Sequence, residues 1–114
     1  MNLKRVEIIV NLSKFNDIKA ALSKIGVTGM TVSQVLGCGV QKGTPEHARE
    51  EYEEIELRPK QLITIFTTDG LLGKIIATVK DELYTGHIGD GKIFVSDVSN
   101  AIRVRTGEEG LDAI

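Results

Sequence analysis

Two stretches of this chain carry the same strand-helix-strand rhythm, and a long stretch without apolar pattern, residues 41–58, separates them. In the first, Val6, Ile8 and Val10 alternate as in a strand, Ile18, Ala21, Leu22 and Ile25 recur at helical spacing, and Met30, Val32, Gln34 and Leu36 continue as a second strand. Asn16 is placed to cap the helix, Asp17 to meet its dipole and Gly26 to stop it. In the second, Leu62 to Thr68 is β-rich and Asp69-Gly70 reads as a break. Leu72, Ile75, Ile76, Val79 and Leu83 then form a helical stripe, and Ile93 to Val98 is a strand. The segment from Ala101 to Arg105 adds a short terminal strand. This order predicts an α+β, ferredoxin-like βαββαβ fold in a single domain, residues 1–114, with a long loop between strands two and three. Helices cover only one face of such a sheet. The opposite strand phase still holds Ile9, Val35, Ile63, Ile65, Phe94 and Val98, so a symmetric partner subunit is expected to cover that second face.

Composition narrows the functional classes. The 114 residues are 41% hydrophobic and 26% charged, which suits one soluble domain with a core of its own. The net charge of −2 and an aromatic content of 4% argue against a nucleic-acid surface, although RNA-recognition domains share this element order. A single cysteine, Cys38, excludes an internal disulfide and is read as a small packing residue. No apolar run approaches the ~20 residues of a membrane span, and the N-terminus has no signal-peptide core, so a cytoplasmic protein without membrane insertion is expected.

The most chemical stretch is GHIGDGKI, Gly86 to Ile93. It fits the phosphate-loop pattern G-x-x-x-x-G-K-[ST] except at Ile93, where a hydroxyl belongs. A phosphate loop of that kind precedes a helix, whereas this one precedes a strand, so the NTPase reading is rejected. Two readings remain for the loop itself. Gly86, Gly89 and Gly91 permit converging backbone N–H groups with Lys92 as a nearby charge, or the loop is a glycine-rich turn with an exposed lysine. In Ile102-Arg103-Val104-Arg105, alternation would put both guanidinium forks on one strand face, suited to polyphosphate, with Ile102 and Val104 packing on the other. The alternative is a solvated pair facing Glu108 and Glu109.

The strings TGHIGDGKIFV (Thr85 to Val95) and IRVRTGEE (Ile102 to Glu109) resemble the PII nitrogen-regulatory signal-transduction family. So do IGVTGMTVSQVLGCG (Ile25 to Gly39), Gln41-Lys42-Gly43 and Pro59-Lys60. The resemblance runs through the whole chain. It implies a homotrimer that binds ATP or ADP in clefts between subunits, senses 2-oxoglutarate through Mg²⁺-ATP, and docks a target through a loop called the T-loop, here residues 41–58. It implies nucleotide-binding roles for Ile9, Thr31, Gly37, Gly39, Phe66, Gly89, Asp90, Gly91, Lys92, Arg103 and Arg105. Gln41 matches the glutamine that helps hold Mg²⁺ and 2-oxoglutarate, Lys60 the lysine that pairs with the oxoglutarate carboxylate, and Gly89 also borders that ligand.

Two departures matter. Val40 occupies a nucleotide-site position where many members carry an arginine that reaches the γ-phosphate, so discrimination of ATP from ADP is expected to be weak or to favour ADP. The loop is also densely acidic. Glu46, Arg49, Glu50, Glu51, Tyr52, Glu53 and Glu54 form the expected docking segment, with Glu53 where some bacterial members have a nucleotidylated tyrosine. Its charge suggests a partner surface bearing Lys or Arg, on a membrane transporter or a metabolic enzyme. The glutamates form no catalytic pair, and His47 and His87 form no metal motif. Slow ATP hydrolysis at the same cleft is the alternative function.

Overall fold

The computed structural model describes residues 2–40, 55–87 and 89–114. Four strands form one sheet in the order β2-β3-β1-β4: β1 (Leu3–Asn11), β2 (Thr31–Val40), β3 (Ile55–Thr68) and β4 (Lys92–Val98). Every neighbouring pair is antiparallel. Helices α1 (Phe15–Lys24) and α2 (Asp69–Leu83) connect β1 to β2 and β3 to β4. This is the ferredoxin-like α+β arrangement that the element order predicted.

The core lies between the helices and one sheet face. Val6, Ile8 and Val10 of β1, Ile63 and Ile65 of β3, Ile18 and Leu22 of α1, and Ile75, Val79 and Leu83 of α2 form one buried cluster. Spacing of three and four along both helices creates the stripe that meets the strands. Gly26 ends α1 as expected. At φ +101° it lets its own N–H reach Ser23 O at 3.3 Å and lets Val27 N–H reach Leu22 O at 3.1 Å, closing the last turn. The start of α1 differs from expectation. A 3-10 turn over Leu12–Lys14 leads directly into the helix, and no side chain caps it, so Asn16 lies inside the first turn. Asp69-Gly70 opens α2, and Asp69 supplies the acidic residue of its first turn.

Four further expectations are corrected. The register pairs Ile8 with Ile63 and Val6 with Ile65, which puts both β3 isoleucines in the core rather than on the uncovered face. Leu62 and Phe66 take the uncovered side with Ile9, Val35, Phe94 and Val98, and the two phenylalanines are about half exposed. Secondly, β3 begins at Ile55, so residues 55–58 of the expected loop are strand. From Ile55 to Pro59 only β2 flanks β3, because β1 ends opposite Lys60. Pro59 therefore occupies an edge position, which tolerates a residue without an N–H. Thirdly, Ala101 to Arg105 forms no strand beyond an isolated bridge between Ile102 and Glu109. Cys38 is exposed rather than packed.

Candidate functional site

The glycine loop is shaped by Asp90. Its carboxylate accepts hydrogen bonds from the Thr85 N–H (2.8 Å), the Gly86 N–H (3.0 Å) and the Thr85 hydroxyl. The Thr85 hydroxyl also accepts from the His87 N–H at 3.2 Å. These donors, those of Thr85 above all, hold the Asp90 carboxyl below the usual carboxylate range. Asp90 thus spends both oxygens on the loop itself. Gly89 and Gly91 have φ of +100° and +115°. A Cβ at Gly91 would lie 2.8 Å from the Ile9 carbonyl oxygen, so only glycine lets the loop close against β1. A Cβ at Gly89 would meet nothing within 4 Å, leaving its backbone open to a ligand. Lys92 follows at the exposed start of β4, opposite Ile9.

Beside this loop lies the base of the β2–β3 ribbon. Lys60 stands opposite Asn11 in the register, and its ammonium donates to Asn11 Oδ1. Asn11 Nδ2 donates in turn to the Gly89 carbonyl at 3.4 Å. The Lys60 stem passes so near Gly37 that a Cβ there would lie 3.0 Å from its Cγ. Gly37, Lys60, Ile9, Gly89, Gly91 and Lys92 therefore gather at one end of the sheet. Gly39 and Val40 continue β2 beyond them, paired with Glu56 and Ile55. Asn11 was not among the sequence-predicted residues. The signal available was a polar side chain in the uncovered phase of β1, next after Ile9.

The remaining candidates lie away from this cluster. Thr31 begins β2, and Phe66 borders a cavity of about 150 Å³ lined also by Thr28, Gly29, Leu71 and Ile114. The tail arginines follow the far end of β4, a strand that places Val98 roughly 20 Å from Lys92. A turn holds Arg103, not a strand face: Arg103 N–H donates to Glu108 O at 2.8 Å, Gly107 N–H to Arg103 O at 2.7 Å. Its guanidinium pairs with Glu108 at 2.9 Å, while Arg105 is exposed and Val104 is 96% exposed. Ile102 and Val104 thus do not pack on the core as alternation suggested. Gln41, Glu46, Arg49, Glu50, Glu51, Tyr52, Glu53 and Glu54 lie outside the described residues. Among the described residues no group of three or more His, Cys, Asp and Glu side chains gathers to hold a metal, and no helix is long and apolar enough to cross a membrane.

The family model for nitrogen regulatory protein P-II matches residues 3–108. The chain belongs to the P-II family. It is 44% identical over 112 residues to the nitrogen regulatory protein P-II of Pasteurella multocida, covering 98% of this chain and 100% of that one. Among solved structures, the complex of B. subtilis GlnK with ATP superposes with a TM-score of 0.81 at 39% identity, covering 99% of this chain and 98% of that one. Arabidopsis thaliana PII bound to citrate gives 0.77 at 35% identity, covering 99% and 92%. The P-II family is one of regulatory signal-transduction proteins. The matched span takes in the glycine loop, Lys60 and both tail arginines.

Proposed function

We propose that this P-II protein acts as one domain spanning residues 1–114, in a cytoplasmic homotrimer whose inter-subunit clefts take ATP or ADP as a signal, not as a substrate to be turned over. The separation of the candidate residues carries the reading. Lys60, Gly89, Gly91 and Lys92 gather at one end of the sheet, while Phe66 and the end of β4 that leads into Arg103 and Arg105 lie at the other. One chain cannot close both sets around one ligand, whereas a neighbour's tail laid against this chain's loop can. The uncovered sheet face, with Ile9, Leu62, Phe66 and Phe94, supplies the apolar surface for that contact. The residues suit a polyphosphate: open glycine N–H groups, an exposed lysine and two guanidinium forks. Asp90 serves through loop shape. The likeness to the ATP complex of GlnK supports the choice of nucleotide.

In this reading Mg²⁺ arrives with ATP and Gln41 helps hold it. Gln41, Lys60 and Gly89 take 2-oxoglutarate, for which the citrate complex of a relative is a supporting precedent in carboxylate chemistry. Residues 41–58 dock a target, either a membrane transporter or a metabolic enzyme, through a basic surface on that target. Ligand identity then biases the docking segment because Gln41 belongs to both and Lys60 stands just beyond the segment's end. Calorimetric titration with ADP and with Mg²⁺-ATP, each with and without 2-oxoglutarate, tests this. Expected are one nucleotide per chain and 2-oxoglutarate uptake only with Mg²⁺-ATP. Failure of both nucleotides to bind overturns the reading.

A further inference from the structure

We propose that Asn11 is the positioning residue for Lys60, holding its ammonium toward the glycine loop so that an incoming carboxylate meets an ordered cation. The inference rests on the reading of Lys60 as the carboxylate-binding lysine. Lys60 stands on the uncovered face, where a four-carbon stem has many rotamers and an anion must bear the cost of ordering it. Two neighbours restrict that freedom. Gly37 leaves the space along which the stem lies, and Asn11 Oδ1 accepts from the ammonium at its tip. Asn11 is itself anchored, its Nδ2 donating to the Gly89 carbonyl. One amide thus links the binding lysine on β3, the end of β1 and the loop that borders the ligand.

The chemistry of the amide suits this task. Its oxygen orients an ammonium without neutralising it, and two of the three ammonium N–H donors stay available to an anion. An aspartate at position 11 would form an ion pair that competes with the ligand carboxylate. An alanine would free the lysine. Both changes are expected to weaken 2-oxoglutarate binding more than ADP binding, because ADP needs no such cation.

The test compares the wild-type assembly with Asn11→Ala and Asn11→Asp. Ligand-free protein is first labelled with acetic anhydride and the modification of each lysine quantified by mass spectrometry. In Asn11→Ala, labelling of Lys60 should rise about threefold against Lys14, Lys19 and Lys24 as references, as expected for losing one hydrogen bond of modest net strength. Calorimetry with 2-oxoglutarate in the presence of Mg²⁺-ATP should show affinity reduced about fivefold in Asn11→Ala, the scale of a hydrogen bond to a charged group. ADP affinity, measured alongside, should fall less than 2-oxoglutarate affinity, whereas a general structural defect would lower both alike. Unchanged Lys60 labelling overturns the proposal, and so does equal 2-oxoglutarate affinity in all three proteins. A wild type that binds ADP and Mg²⁺-ATP but no 2-oxoglutarate also overturns it, while leaving the nucleotide reading intact.

Discussion

The helix-covered face of the sheet and its uncovered face are built from alternate residues of the same strands, yet only the first is completed within one chain. On the covered face Val6, Ile8, Ile63 and Ile65 are at most 2% exposed and belong to one apolar cluster. On the other, Ile9, Leu62, Phe66 and Phe94 mix with Arg5, Glu7, Asn11 and Lys60. Arg5 Nε lies 3.4 Å from a Glu7 carboxylate oxygen and donates to Ser96 Oγ at 3.2 Å, so polar groups there are already partnered within the chain. Burial alone stabilises the first face. The second mixes apolar with charged side chains, and its charged groups are tolerated because hydrogen bonds reach them.

Mutations on the two faces should therefore fail differently. The largest effect belongs to the covered face: Ile75→Ala removes a fully buried side chain and should cost about 2–5 kcal/mol, read as a lower denaturant midpoint. Phe94→Glu on the uncovered face should leave the chain folded by circular dichroism but monomeric by light scattering; an intact oligomer would show that this face is not the one covered. Lys92→Ala and Arg105→Ala, from opposite ends of the sheet, should each weaken ATP binding about tenfold, ~1.4 kcal/mol, by calorimetry. A loss for only one of them would contradict a cleft built from both ends. Val40→Arg should raise ATP affinity about fivefold and leave ADP affinity unchanged, because a guanidinium fork gains only the γ-phosphate. Equal gains for both nucleotides would remove that explanation.

The smallest effect concerns pH. Asp90 has its carboxyl held low by Thr85 and Gly86, so its contribution to loop structure is present above the ordinary carboxylate value. It is lost as pH falls through the lowered one. Hydrogen exchange at the Thr85 and Gly86 amides should stay slow down to about pH 4, near the ordinary Asp value, and quicken below it. Asp90→Ala should show the fast exchange at every pH.

Local pattern made much of this legible. Helical spacing placed Ile18, Leu22, Ile75, Val79 and Leu83 on buried stripes, and Gly26 announced the end of α1. Three glycines near Lys92 marked the loop, where positive φ and the approach to Ile9 demand them. What escaped was whatever depends on register. In β3 both phases are apolar, so Ile63 and Ile65 cannot be told from Leu62 and Phe66 until Ile8 and Ile9 stand beside them. The polar start of β3 hid a strand because pairing with β2 alone needs no core-facing residues. The tail alternates like a strand but turns, since Gly107 closes a hairpin onto Arg103 and returns Glu108 to its guanidinium. Asn11 escaped because its partners, Lys60 and Gly89, are distant in sequence.

By itself the sequence determined the element order, the glycine loop and the family, because periodicity, positive-φ turns and motif strings are local properties carried by neighbouring residues. The tertiary structure decided which strand phase faces the helices, that the candidate ligand groups lie at two ends of one sheet, and that Asn11 joins Lys60 to the loop. Each of those depends on strand register, and register is set by contacts between residues that the chain itself keeps far apart.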